Sequence, residues 1–194
     1  GSAFTADALE SWASEVGPLL PIRDASLYPV SGGSEAAETA LKMVRAYWLA
    51  KGEVERTVVV SRWGSYHGNT LGALAVGGNL ARREPYAPML MDVSLISPCF
   101  AYHYKRDDET EEQYGLRVAN ELEAEILRLG PETVAGFTAE TVVGATTGCV
   151  PPVKGYFRRI REICDKYGVL LILDEVMSGM GRTGTMHACE QDGI

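Results

Sequence analysis

Between residues 5 and 16, apolar side chains fall at Leu9, Trp12, Ala13 and Val16, the i, i+3, i+4, i+7 spacing of one helix face. Thr5 can cap this helix, and Gly17-Pro18 stops it. The same period returns after Ser31-Gly32-Gly33-Ser34-Glu35, where Ala37, Leu41, Val44 and Trp48 turn inward. A third helix is predicted over residues 111 to 129, burying Val118, Leu122, Ile126 and Leu129 and ending at Gly130-Pro131. A fourth, from about Gly155, sets Phe157, Ile160, Cys164 and Tyr167 on one face and closes at Gly168.

Short apolar or β-branched runs alternate with these helices. Thr57 to Ser61, Val93 to Ile96 and Thr133 to Ala139 read as strands, the last ending at Glu140. Leu27 to Val30 is a further short strand, which Pro29 restricts to an edge or a strand start. Residues 77 to 91, with Gly77-Gly78, Pro85 and Pro88, read as an ordered loop, and 99 to 110 as irregular and increasingly charged. The uninterrupted run Val169 to Leu173 is bounded by glycine and leads into Asp174-Glu175, which predicts a central parallel strand covered on both faces. The alternation is that of a parallel α/β sheet, and no linker divides the chain.

Composition narrows the function classes. The 194 residues are 46% hydrophobic and 23% charged, as in an ordinary globule with a substantial core. A net charge of −8, from 26 acidic and 18 basic residues, argues against nucleic acid or an anionic membrane as the main partner. No apolar run approaches the roughly 18 residues of a membrane span, and no secretory h-region opens the chain. Cys99, Cys149, Cys164 and Cys189 form no C-x-x-C pair, which favours reduced thiols in a cytoplasmic protein. Gly1-Ser2 reads as a cloning scar and is left out of the fold.

Candidate chemistry gathers at the ends of the predicted strands, where open α/β sheets place their ligands. Ser31-Gly32-Gly33-Ser34 lies between a short strand and a helix, so free N–H groups at the helix start favour an anion such as phosphate. Alone, the segment also reads as a plain turn with Ser34 as N-cap. It matches neither G-x-G-x-x-G nor G-x-x-x-x-G-K-[ST]. Tyr66-His67-Gly68 offers a ring to stack on a flat heterocycle, or a core-filling aromatic beside a structural histidine. Glu140 and Asp174 each end a buried strand, without a histidine-rich set that would suggest a metal. A carboxylate so placed can instead hold a protonated ring nitrogen, the protein's part in pyridoxal phosphate chemistry. Asp174 suits this better than Glu140 because its strand is the more apolar.

Taken together these segments resemble the class III aminotransferases, pyridoxal 5'-phosphate enzymes of fold type I. The matching motifs are Ser31-Gly32-Gly33-Ser34-Glu35-Ala36, Tyr66-His67-Gly68-Asn69-Thr70, Val150-Pro151-Pro152 followed by Gly155-Tyr156, Asp174-Glu175-Val176, and Gly179-Met180-Gly181-Arg182-Thr183-Gly184. Each is weak alone; five in the right order are specific. The resemblance implies a three-layer α/β/α fold with a mostly parallel sheet, residues 3 to 194 being part of the family's large domain. It implies that Gly33 and Ser34 hold the cofactor phosphate, that Tyr66 stacks on the pyridine ring and that Val176 packs on the opposite face. It further implies that Asp174 pairs with the ring nitrogen and that Glu140 lies on the substrate side. His67 is a motif member with no assigned role. Substrates would be an amine or amino acid and a 2-oxo acid, handled by a homodimer.

Three departures qualify this. Thr141 replaces the proline usual after Glu140, and Met177 stands where many members carry a glutamine whose hydrogen bond methionine cannot make. The family's Schiff-base lysine follows the glycine-rich turn at a distance this chain does not reach; Lys42, Lys51, Lys105, Lys154 and Lys166 all lie outside that context. The expectation is therefore an excised piece of an aminotransferase, itself inactive. A racemase, aminomutase or decarboxylase on the same scaffold is the alternative, although the aminomutase branch typically has Gly-Thr-Glu-Ala at Gly33-Ser34-Glu35-Ala36. A non-catalytic domain descended from such an enzyme is the third reading.

Overall fold

The computed structural model describes residues 5–144 and 146–194. Its centre is a four-stranded parallel sheet of β1 (Val58–Arg62), β2 (Ser94–Ile96), β3 (Val134–Glu140) and β4 (Leu170–Asp174), in the order β2-β1-β3-β4. The chain steps outward from β1 to β2 and then returns to the far side of β1 for β3. The gap between the carboxyl ends of β1 and β3 is thus a topological switch point, where ligands settle in open α/β sheets.

Helices cover both faces. On one lies α2 (Gly33–Ala50), whose Val44 and Trp48 pack with Ala135, Leu170 and Ile172. Trp48 Nε1–H donates to the Ala135 carbonyl at 2.8 Å, satisfying a buried indole. The other face carries α6 (Glu111–Leu129) and α7 (Tyr156–Tyr167), whose Val118, Leu122, Ile126, Phe157, Ile160 and Cys164 are buried against Phe137 and Ala139. Each such side chain contributes about 1.5–3 kcal/mol relative to exposure. Thr110 and Gln113 form a capping box at the start of α6, and left-handed Gly168 ends α7.

Several expectations are corrected. Leu27 to Val30 forms no strand and pairs with none among the described residues, in keeping with the N–H that Pro29 lacks. Helix α1 (Asp7–Val16) forms, but the face carrying Leu9 and Trp12 stays exposed, and Ala6, not Thr5, is its N-cap. Within 77–91 and 99–110 the chain builds the C-cap Gly77 of the preceding helix, the short helices α4 (Leu80–Arg83) and α5 (Ala101–Tyr104), and a 3-10 turn at Glu84–Met89. Helix α3 itself is Leu71–Val76. The largest correction concerns β4: among the described residues it bonds β3 alone, at the edge of the sheet, and is only half-buried throughout, not a central strand.

Candidate active site

The placement of the two carboxylates follows from strand register. Paired residues on parallel strands point to the same face, and the β3–β4 ladder runs Gly136↔Leu170, Thr138↔Ile172, Glu140↔Asp174. Ile172 packs toward α2, so Asp174 and Glu140 emerge on the α2 side, beside its first turn.

Glu140 is almost enclosed, at 4% exposure. Its Oε2 accepts the Tyr66 N–H at 3.0 Å, its Oε1 accepts the Gly144 N–H at 3.2 Å, and its carbonyl accepts from an Arg62 guanidinium N–H at 2.6 Å. Burial pushes the Glu140 carboxyl above its ordinary value, while the two N–H bonds pull it back. Arg62 is itself buried, with its guanidinium 5.6 Å from the ring centroids of both Tyr156 and Phe157.

The Asp174 side chain is more open, at 16% exposure. Its Oδ1 accepts the Val176 N–H at 3.0 Å and its Oδ2 lies 2.8 Å from His67 Nδ1. His67 is buried, and its Nε2 has no protein partner among the described residues. The ground for preferring Asp174 over Glu140 is therefore corrected. β3 is the more enclosed strand, and Asp174 is distinguished by facing open space with a histidine behind it. The next residue does different work: Glu175 accepts the Ala188 and Cys189 N–H groups at 2.7 and 2.8 Å, folding the glycine-rich turn back onto the strand.

Helix α2 begins opposite. Its N-cap is Gly32, not Ser34, and no side chain caps the first turn, so the N–H groups there carry no side-chain cap. The Ser34 hydroxyl is held by Asn69, accepting from its N–H at 3.1 Å and donating to its Oδ1 at 3.2 Å. Gly68 takes φ 135°, and a Cβ there would stand 2.5 Å from Ser34 Oγ. A Cβ on Gly33 would come within 3.1 Å of Val176 Cγ2. Tyr66 completes the group, with the Arg82 guanidinium 4.5 Å from its ring centroid.

These residues enclose a cavity of about 230 Å³ lined by Gly33, Ser34, Tyr66, Glu140, Asp174 and Val176, together with His67, Gly68 and Met177. Gly33, Ser34, Tyr66, Glu140, Asp174 and Val176, the residues the resemblance gave roles to, all line it. An apolar groove of about 260 Å³ continues between α2 and β4. No lysine lines either space among the described residues, and no cluster of three or more metal-ligating side chains occurs among them. Nor is any described helix long and apolar enough to cross a membrane. The contact of His67 with Asp174 has no signal in the sequence, because it joins the segment after β1 to the end of β4 across β3.

An uncapped helix start, an aromatic ring and an open carboxylate meet around one cavity on an α/β scaffold. The Aminotransferase class-III family model matches residues 1–194, and the chain belongs to that pyridoxal-phosphate-dependent family. An uncharacterised aminotransferase of Schizosaccharomyces pombe is 56% identical over 171 residues, covering 88% of this chain and 37% of the relative. A putrescine–pyruvate aminotransferase of Pseudomonas aeruginosa is 41% identical over 152 residues, covering 78% and 33%. Among solved structures, a PLP-bound aminotransferase mutant from Vibrio fluvialis superposes with a TM-score of 0.93 at 32% identity, covering 100% of this chain and 42% of that one. The chain thus spans well under half the length of the proteins it matches.

Proposed function

We propose that residues 3–194 form part of the large domain of an aminotransferase that moves an amino group between an amine or amino acid and a 2-oxo acid. The observation that carries this is the Asp174 carboxylate, backed by His67 and opening into the cavity that α2 and Tyr66 also line. Bound pyridoxal phosphate would supply an electron sink for the charge left on the substrate carbon. The N–H groups of Gly33 and Ser34, at the positive end of α2, would hold its phosphate. Tyr66 and Val176 would cover the two ring faces. Asp174 would keep the ring nitrogen protonated by opposite charge, and His67 would fix the orientation of that carboxylate. Glu140 would bound the substrate side, locked by Tyr66, Gly144 and Arg62.

The nucleophilic lysine would come from chain outside these residues, since none lines the cavity. The Vibrio neighbour's bound PLP supports the cofactor, and the Pseudomonas relative's name supports an amine donor with a 2-oxo acid acceptor. We assign the whole protein to a homodimer acting in the cytoplasm.

In the full-length protein, Asp174→Ala should lower transamination about a hundred- to thousandfold, the scale of removing a principal electrostatic stabiliser. Borohydride should still trap the cofactor on a lysine. An active Asp174→Ala protein, assayed against a panel of amines and oxo acids, would overturn the proposal. In the 194-residue chain alone, borohydride with pyridoxal phosphate should label no single lysine stoichiometrically; specific labelling of Lys154, for instance, would contradict the lysine assignment.

A further inference from the structure

Thr141 is buried at the joint between the two carboxylate-bearing strands. Its N–H donates to the Asp174 carbonyl at 3.3 Å, one step beyond the last register pair. Its hydroxyl lies 2.8 Å from Ser178 Oγ, and Ser178 Oγ donates to Glu175 Oε2 at 3.2 Å. A serine hydroxyl has one proton, and here it goes to the carboxylate; Thr141 is therefore the donor to Ser178. Ser178 is buried as well, so the Thr141–Ser178 bond is sheltered from water.

The relay has a geometric consequence. Glu140, Val176 and Met177 all line the 230 Å³ cavity. Val176 and Met177 are exposed and belong to the turn that Ser178 anchors. The Thr141–Ser178 bond is the only side-chain hydrogen bond among the described residues that joins the loop after Glu140 to that turn. A proline at 141 could supply neither the N–H nor the hydroxyl.

We infer that Thr141 is a positioning residue that sets the width of the cofactor cavity, acting through Ser178 on the turn that carries Val176. This rests on the reading of that cavity as the pyridoxal phosphate site. The test uses the full-length apoprotein, titrated with pyridoxal phosphate well below its unfolding temperature. Thr141→Val keeps the shape and the N–H but loses the donor, and should raise the cofactor Kd severalfold, with about tenfold, the full worth of one net hydrogen bond, as the ceiling. Thr141→Ser should restore the Kd to within about twofold, since its hydroxyl can still donate. Ser178→Ala should weaken binding to a similar degree, and combining it with Thr141→Val should add nothing, because both remove the same bond.

A Thr141→Val protein with the parent Kd, even one that melts earlier, would reduce Thr141 to a structural residue and overturn the inference. Should that variant fail to fold, an unchanged Kd for Ser178→Ala would overturn it equally. Asp174→Ala separates the two levels. If that variant keeps transaminating, the cofactor reading fails; if it is inactive while Thr141→Val binds normally, only the positioning role fails.

Discussion

Single residues in this chain carry constraints that their neighbours explain. At Gly68 a Cβ would stand 2.5 Å from Ser34 Oγ and 2.7 Å from Ser34 Cα, so a side chain there collides with the backbone that starts α2. Gly68→Ala adds the cost of positive φ, about 1–2 kcal/mol, to that collision. It should lower both the melting temperature and the cofactor affinity of the full-length protein; a variant with parent-like affinity would show that the start of α2 has no part in binding. Glu109 is governed by charge instead. Arg117 bonds both of its oxygens, at 2.6 and 3.0 Å, and holds its carboxyl down at about 2. A depressed carboxylate stabilises the fold above its ordinary value of about 4.3 and loses that contribution as pH falls. Glu109→Gln should therefore melt below the parent protein at neutral pH, with the gap closing as pH falls through about 2. A gap independent of pH would place the effect in packing.

At the scale of elements, the core helices rest on apolar periodicity, and α2, α6 and α7 lie where that periodicity puts them. Trp48 shows how a helix is pinned as well as packed: its Nε1–H satisfies the Ala135 carbonyl inside the α2–sheet interface, and the Arg56 guanidinium sits 4.2 Å from its ring centroid. Trp48→Phe should cost about 1–3 kcal/mol in denaturant unfolding, chiefly by orphaning that carbonyl; no change would mean water replaces the indole. The elements that periodicity misplaced failed for definable reasons. Helix α1 has the right spacing but no surface to bury its face against. The 80–89 region is too short for a period, and its order comes from Arg83, which donates to the carbonyls of Leu74, Ala75 and Gly77. An apolar run such as Leu170–Leu173 says that a strand is partly covered, not how many neighbours it has. The α/β class was legible in the alternation of strands and helices, and the residues that line the cavity in the glycine, aromatic and carboxylate positions after the strands. His67 and Thr141 stayed ambiguous until their partners, 107 and 37 residues away in sequence, were brought alongside.

On the scale of the whole molecule, the position of β4 governs both chemistry and association. Asp174 and Glu140 both line the cavity, and Asp174, at the end of the outermost described strand, is the more open of the two. The same geometry leaves one side of the β4 backbone unpaired along Leu170–Asp174, and its residues half-buried. The edge has none of the usual protections, with no lysine, proline or bulge before its terminal carboxylate. Two such edges meeting about a two-fold axis would run antiparallel and complete each other's ladders. The 194-residue chain should therefore self-associate with rising concentration in sedimentation velocity. Leu171→Lys should suppress this, since a charge near the middle of the strand must be desolvated to pair while the monomer lets its long stem reach water. A chain that stays monomeric at every concentration would show that the edge is silent, and equal association by Leu171→Lys would assign the contact to another surface.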